Sequence, residues 1–392
     1  MSTTDDNTLG IPVDIAVRVL DVISSDRATL KACCLVNRAF SAYAQSLLFR
    51  SVKLEKYRVF KPYSQVIDSS TERGRALGQL TRELTFICDS DVYVDGAQLA
   101  LRDLVKVLPH LPKLEHLELH LRGKDFTPSQ LDVLSRASSI TSLHLHNSNK
   151  FGQTNVHDIL ASLPQITRLY LYGSAFRIVS GREPLNLVLS ELHWHIDLDP
   201  SAQELKWLLG ESSNLRALSI VSPHENTPRS MPERLLPLLL EQYGRNLHTL
   251  RLSDRIDSLD FVQSSCPILS ELSLKFWPAP SVLRTLPRGL THLALAGPGK
   301  TTANESALRE LMSCLGGLPH IHTLTWLTGD GVSSNERTEF VRFCDARGIR
   351  IVEPPPCVSL TEGTRPRFRG PPETLILRSL GPRPEFTGIY ND

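Results

Sequence analysis

The sequence predicts an α/β protein: an N-terminal three-helix module followed by an irregular solenoid of strand–turn–helix repeats. Two observations carry this. The pattern L-x-x-L-x-L occurs nine times, with starting positions 21 to 32 residues apart and helical patterns between copies. Before it, residues 9–54 hold three short helical patterns and a strand-like exit. At 392 residues the chain is long for a single domain unless a repeat array absorbs the length.

The first element starts at Pro12, which a first helical turn tolerates because its missing N–H has no partner there. Ile15, Val19, Leu20 and Ile23 then recur at helical spacing and predict one apolar face. Ser24-Ser25-Asp26 ends that helix and offers a new N-cap. A second pattern carries Leu30, Cys33, Cys34 and Leu35, and a third runs through Phe40, Tyr43, Ala44, Leu47 and Leu48. Some forty residues are too few to bury this much apolar surface alone, so a partner surface is expected.

Ile11-Pro12, Asp14-Ile15 and Val19-Leu20, followed by the run from Leu30 through Val36-Asn37-Arg38 to Phe40, resemble the F-box. This is the helical module that docks substrate receptors onto cullin-based ubiquitin ligases. Phe40 stands where the family commonly has Trp, and Ala16 where a larger aliphatic is frequent. The resemblance covers about forty-five residues, and with the repeats it is similar to the F-box families of mushroom-forming fungi. It implies that Ile11, Pro12, Ile15, Val19, Leu20, Leu30, Cys33, Val36 and Phe40 contact the ligase's adaptor subunit, and through it a cullin. Absent the resemblance, the same stripes read as a three-helix cap on the solenoid.

The repeats begin at Leu114, Ile140, Ile166, Leu189, Leu215, Leu247, Leu269, Leu290 and Ile321. Phe49-Val52-Leu54 is a lead-in, Leu84-Phe86 a degenerate copy and Ile349-Ile351 a closing strand. Alternation within each copy marks a strand with one buried face. Helical patterns such as 99–108, 131–137, 156–163, 203–209 and 307–315 supply the returns. These units resemble leucine-rich repeats, which bury their apolar faces by stacking. The Asn that often follows the last Leu of a copy is missing, which predicts an irregular array. The expected organisation is a disordered 1–8, the helical module at 9–50, the solenoid at 51–353 and a tail at 354–392. Its Pro-rich composition, with Arg365, Arg367 and Arg369, predicts an extended or disordered segment.

Composition narrows the function. Lys and Arg number 43 against 42 Asp and Glu, a balance that argues against a dedicated nucleic-acid or anionic-membrane surface. The seven cysteines are scattered and lack C-x-x-C, so neither a zinc ribbon nor a disulfide framework is expected. Reduced thiols fit the cytoplasm or nucleus. The polar opening MSTTDDNTLG predicts no secretory or transit leader, and no apolar run is long enough to span a bilayer.

Strand alternation places His144, His146, Tyr170, Tyr172, His193 and His195 on the exposed face of three successive strands, after His116, Glu118 and His120. A patch for a protein target is the preferred reading. A metal site would need about four ligands, and the tyrosines interrupt the histidine columns. Histidine content suggests target binding that weakens as pH falls through about 6.5. Gly297-Pro298-Gly299-Lys300-Thr301 matches a relaxed phosphate loop that lacks its first Gly, and it sits in repeat register.

The expected function is therefore target recognition for an SCF-type ligase, with no catalytic residue, metal or other cofactor in this chain. A repeat scaffold outside any ligase is the alternative, and an NTP-binding enzyme using the Gly297–Thr301 loop is the less favoured one.

Overall fold

The structure is a computed structural model that describes residues 13–24, 26–36, 38–88, 99–147, 154–173, 176–177, 185, 187–196, 200–210, 212–221, 235–253, 256, 258–296, 306–326 and 334–352. Residues 1–8, the tail at 354–392 and the Gly297–Thr301 loop lie outside the described residues. The chain divides into two compact units, 1–188 and 189–392.

The first unit opens with helices α1 (Val13–Val22), α2 (Arg27–Cys33) and α3 (Arg38–Arg50). Strands β1 (Ser51–Leu54), β2 (Glu83–Ile87), β3 (His116–His120), β4 (Ser142–Asn147) and β6 (Arg168–Gly173) follow and pair in parallel in that order. Between them run α4 (Tyr57–Val66), α5 (Glu72–Gly78), α6 (Leu101–Val107), α7 (Pro128–Ser135) and α8 (Val156–Ala161). Two short strands, β5 (Thr154–Asn155) and β7 (Phe176–Arg177), pair separately. Asp125 ties them together: its Oδ1 accepts from the Asn155 backbone N–H at 2.6 Å and its Oδ2 from Arg177 at 2.8 Å. Gly173 at the end of β6 has φ +108°, and a Cβ there would collide with the Asn147 carbonyl, so only Gly closes that strand.

The second unit repeats the scheme. Strands β8 (Glu191–Ile196), β9 (Ala217–Ile220), β10 (Thr249–Leu252), β11 (Glu271–Leu274), β12 (His292–Leu295), β13 (Thr323–Trp326) and β14 (Arg350–Val352) form one parallel array. Their returns are α9 (Ala202–Leu209), α10 (Leu235–Tyr243), α11 (Asp260–Ser265), α12 (Pro280–Arg284), α13 (Ser306–Gly316) and α14 (Ser334–Ala346). Helix α9 starts on a capping box: Glu204 N–H donates to Ser201 Oγ at 3.1 Å, and Ser201 N–H to Glu204 Oε2 at 2.7 Å. Pro237 falls in the first turn of α10, where it removes no helical hydrogen bond.

Register explains the recurring leucines. Leu192, Leu218, Leu250, Leu272, Leu293 and Leu324 are adjacent on successive strands, and none is more than 1% exposed. The Leu or Ile that opens each copy is likewise buried just before its strand, as at Ile166, Leu215 and Leu247. A parallel strand covered by helices buries one face completely, and these ladders are that face.

Candidate functional site

Helix α1 carries apolar residues on two sides. Ala16, Leu20 and Ile23 face inward, where Leu20 meets Leu30 and Ala44 in a small core completed by Cys33, Cys34, Phe40, Tyr43, Leu47 and Leu48. Ile15, Val19 and Val22, one residue back in each case, stay 52%, 51% and 83% exposed. Leu35 and Val36 in the turn after α2 are exposed at 88% and 52%. The expectation of a single apolar face is thus corrected: α1 has an inner stripe and an outer one. The spacing 15, 19, 22 puts the outer residues on one helix surface.

Polar contacts fix the module. Asp26 caps α2, accepting from the Ala28 and Thr29 N–H groups at 3.0 and 3.1 Å. Its carboxyl is held below the usual carboxylate range, first by the Thr29 hydroxyl and then by the Thr29 N–H. Tyr43 donates to Asp21 Oδ1 at 2.8 Å, joining α3 to α1. Arg27 donates to the carbonyls of Leu48 and Ser51, both at 3.2 Å, and so anchors α2 where α3 passes into β1.

The nine residues read from the resemblance therefore separate. Ile15, Val19 and Val36 offer surface. Leu20 and Leu30, each 1% exposed, are core residues, because three short helices must fill their own centre before offering anything outward. Cys33 and Phe40 are partly buried against that core. Ile11 and Pro12 lie outside the described residues. Val22 and Leu35, the most exposed large apolar groups among the described residues, join this surface without being among the nine; the spacing 15, 19 and 22 is the sequence signal for Val22.

On the strands of the first unit, register makes two columns. The inner one is Glu118, His144 and Tyr170, and the outer one His120, His146 and Tyr172. His144 lies 3.8 Å from Tyr170 by ring centroid, while His146 stacks on His120 at 4.1 Å and on Tyr172 at 4.6 Å. This packing corrects the expectation of an exposed face. Tyr170, His144 and Tyr172 are 2%, 5% and 7% exposed, because rings on adjacent parallel strands cover one another. His146 and His120 keep about a quarter of their side chains open, at 25% and 28%.

His193 and His195 belong to the second unit. His195 Nε2 lies 2.8 Å from Ser219 Oγ. His193 is buried, and its pKa is lowered to about 3 by desolvation and then by the charge of Arg251. It therefore stays neutral near pH 6.5 and cannot contribute the pH dependence expected there. Its effect is on stability instead. The unfolded chain protonates near 6.5 and the folded one near 3, so the stability is complete above pH 6.5 and is lost as pH falls toward 3. We expect this residue to contribute up to about 1.4 kcal/mol per pH unit in that window. Chemical denaturation at pH 7, 6 and 5 checks it: the fall should be shallower in His193→Gln than in the wild type.

The same unit holds a buried charged group that no sequence motif marks. Arg251 donates to Glu271 Oε1 at 2.8 Å, with side chains 16% and 5% exposed. His292 Nδ1 lies 3.9 Å from that oxygen, and its Nε2 is 2.8 Å from Thr325 Oγ1. Strand alternation places all of these positions, but only the register between strands brings them together. Thiol chemistry finds little support here: burial pushes Cys88 and Cys266 up to about 12 and Cys344 up to about 11, away from thiolate.

No family model matches the chain, and no curated protein matches it. Among solved structures, a protein of Bacteroides fragilis is similar over 78% of this chain and 73% of its own, at 12% identity and a TM-score of 0.39. The Rad7 and Elc1 complex in yeast is similar over 87% of this chain and 91% of that one, at 14% identity and a TM-score of 0.35. With both TM-scores below 0.5, neither likeness carries an argument about fold or function. Among the described residues, no helix is long and apolar enough to cross a membrane.

Proposed function

We propose that the chain is a substrate receptor of an SCF-type cullin ubiquitin ligase. Helices α1–α3 dock the adaptor subunit, and the repeats hold a protein target. The observation that carries the reading is the outer stripe of Ile15, Val19 and Val22, with Leu35 and Val36. A helix that is apolar on both sides needs cover on both. The inner side has the module's own core, and the F-box-like motif supplies the identity of the outer partner. The chain itself provides no catalytic group in this reading. Transfer is accelerated because the target is held beside a charged enzyme brought by other subunits.

Co-expression with the adaptor tests the proposal. Full burial of an aliphatic side chain is worth about 1.5–3 kcal/mol, and these are already half covered. Ile15→Asp/Val19→Asp should therefore weaken adaptor binding by at least about tenfold. The variant should stay folded with helical content close to wild type and a modestly lower melting temperature, because both residues are half-covered rather than in the core. Equal adaptor recovery from wild type and double variant, both folded, leaves a repeat scaffold outside any ligase.

A further inference from the structure

We propose that Glu118, His120 and His146 form a three-ligand site for a divalent cation of the zinc class. Their ligand atoms all lie within 4.8 Å of one another. Glu118 Oε1 is 3.0 Å from His120 Nε2 and 3.4 Å from His146 Nε2. Tetrahedral ligation at about 2.0–2.2 Å holds ligand atoms roughly 3.3–3.6 Å apart, so the 3.4 Å separation already suits one shared ion, and the 3.0 Å contact, now a hydrogen bond, widens by a few tenths of an ångström when the ion replaces its proton. The fold sets them: His120 and His146 are direct partners on paired parallel strands, and Glu118 shares the face of His120 two residues earlier.

Two further observations fit a ligand set. Thr85 Oγ1 donates to Glu118 Oε2 at 2.9 Å, which orients the carboxylate and leaves Oε1 toward the imidazoles, the usual task of an outer hydrogen bond at a metal site. Two imidazoles and a carboxylate are a borderline donor set, suited to Zn²⁺, Co²⁺ or Ni²⁺ over Mg²⁺ or Ca²⁺. The tyrosines do not interrupt this set, because its ligands come from both columns. The imidazoles now stack with 6° between planes, so ligation requires them to tilt, and their partial exposure leaves room for that. Three protein ligands leave a fourth position for water or for a donor from a bound partner.

The test uses the full chain, stripped with chelator and titrated with Co²⁺. We expect saturation at one equivalent, visible d–d absorption without a thiolate charge-transfer band, and displacement by Zn²⁺. His120→Ala/His146→Ala should weaken binding by more than about 100-fold, and Thr85→Val by about tenfold, since outer-shell losses run about 10–100-fold. Zn²⁺ should raise the melting temperature of the wild type and not of the double variant. Three results overturn the site: no saturable binding, binding unchanged in the folded double variant, or a thiolate band in the wild type, which assigns the ion to cysteines. The thiolate readout holds even where the variant does not fold.

Discussion

Replacing Leu272 by Ala should cost the second unit about 2–5 kcal/mol. Leu272 is fully buried on β11, between Leu250 on β10 and Leu293 on β12. The two neighbouring strands are hydrogen-bonded in fixed register, so they cannot close on the space left behind. The cost is then the lost transfer energy plus a cavity term rather than a relaxed minimum. Urea denaturation should show a lower midpoint, while exposed Arg288→Ala should stay within about 0.5 kcal/mol of wild type. A cost for Leu272→Ala as small as that of Arg288→Ala would mean the ladder does not hold the array together.

Breaking the Arg251–Glu271 pair from one side should be as damaging, at about 3–5 kcal/mol for Glu271→Ala. The guanidinium would remain at 16% exposure without the carboxylate at 2.8 Å, and restoring its hydration means opening the strand face. The paired replacement Arg251→Met/Glu271→Leu should recover most of the loss, because it removes both desolvation costs while keeping volume. Guanidinium denaturation of the single and double variants decides this. A double variant as unstable as the single one would show that the pair does more than neutralise itself, with His292 at 3.9 Å the next group to examine.

The strand positions were legible because an alternating leucine pattern has one interpretation when a helical pattern follows it. Every copy, including the degenerate Leu84-Phe86, lies in or beside a strand. Less legible was the direction in which each group points once neighbours are present. Ile15 and Leu20 belong to one apolar pattern in sequence, yet one is 52% exposed and the other 1%. The difference depends on where α2 and α3 pack, which one helix cannot specify. Alternation likewise put Tyr170 and His144 on the outer face of their strands, but not the mutual cover of their rings at 3.8 Å. The Glu118–His120–His146 group needed the register between strands, since its members come from two repeats. Arg251 and Glu271 were visible as letters; their partnership required the same register.

In the proposed function, the outer surface of the helical module receives the ligase adaptor. Amide hydrogen exchange of the full chain, with and without saturating adaptor, tests it most directly. Adaptor binding should add protection in peptides spanning 13–24 and 26–36, where Ile15, Val19, Val22, Leu35 and Val36 lie, and leave the repeats unchanged. Unchanged exchange in those peptides, or protection confined to the strands of the repeats, would contradict it.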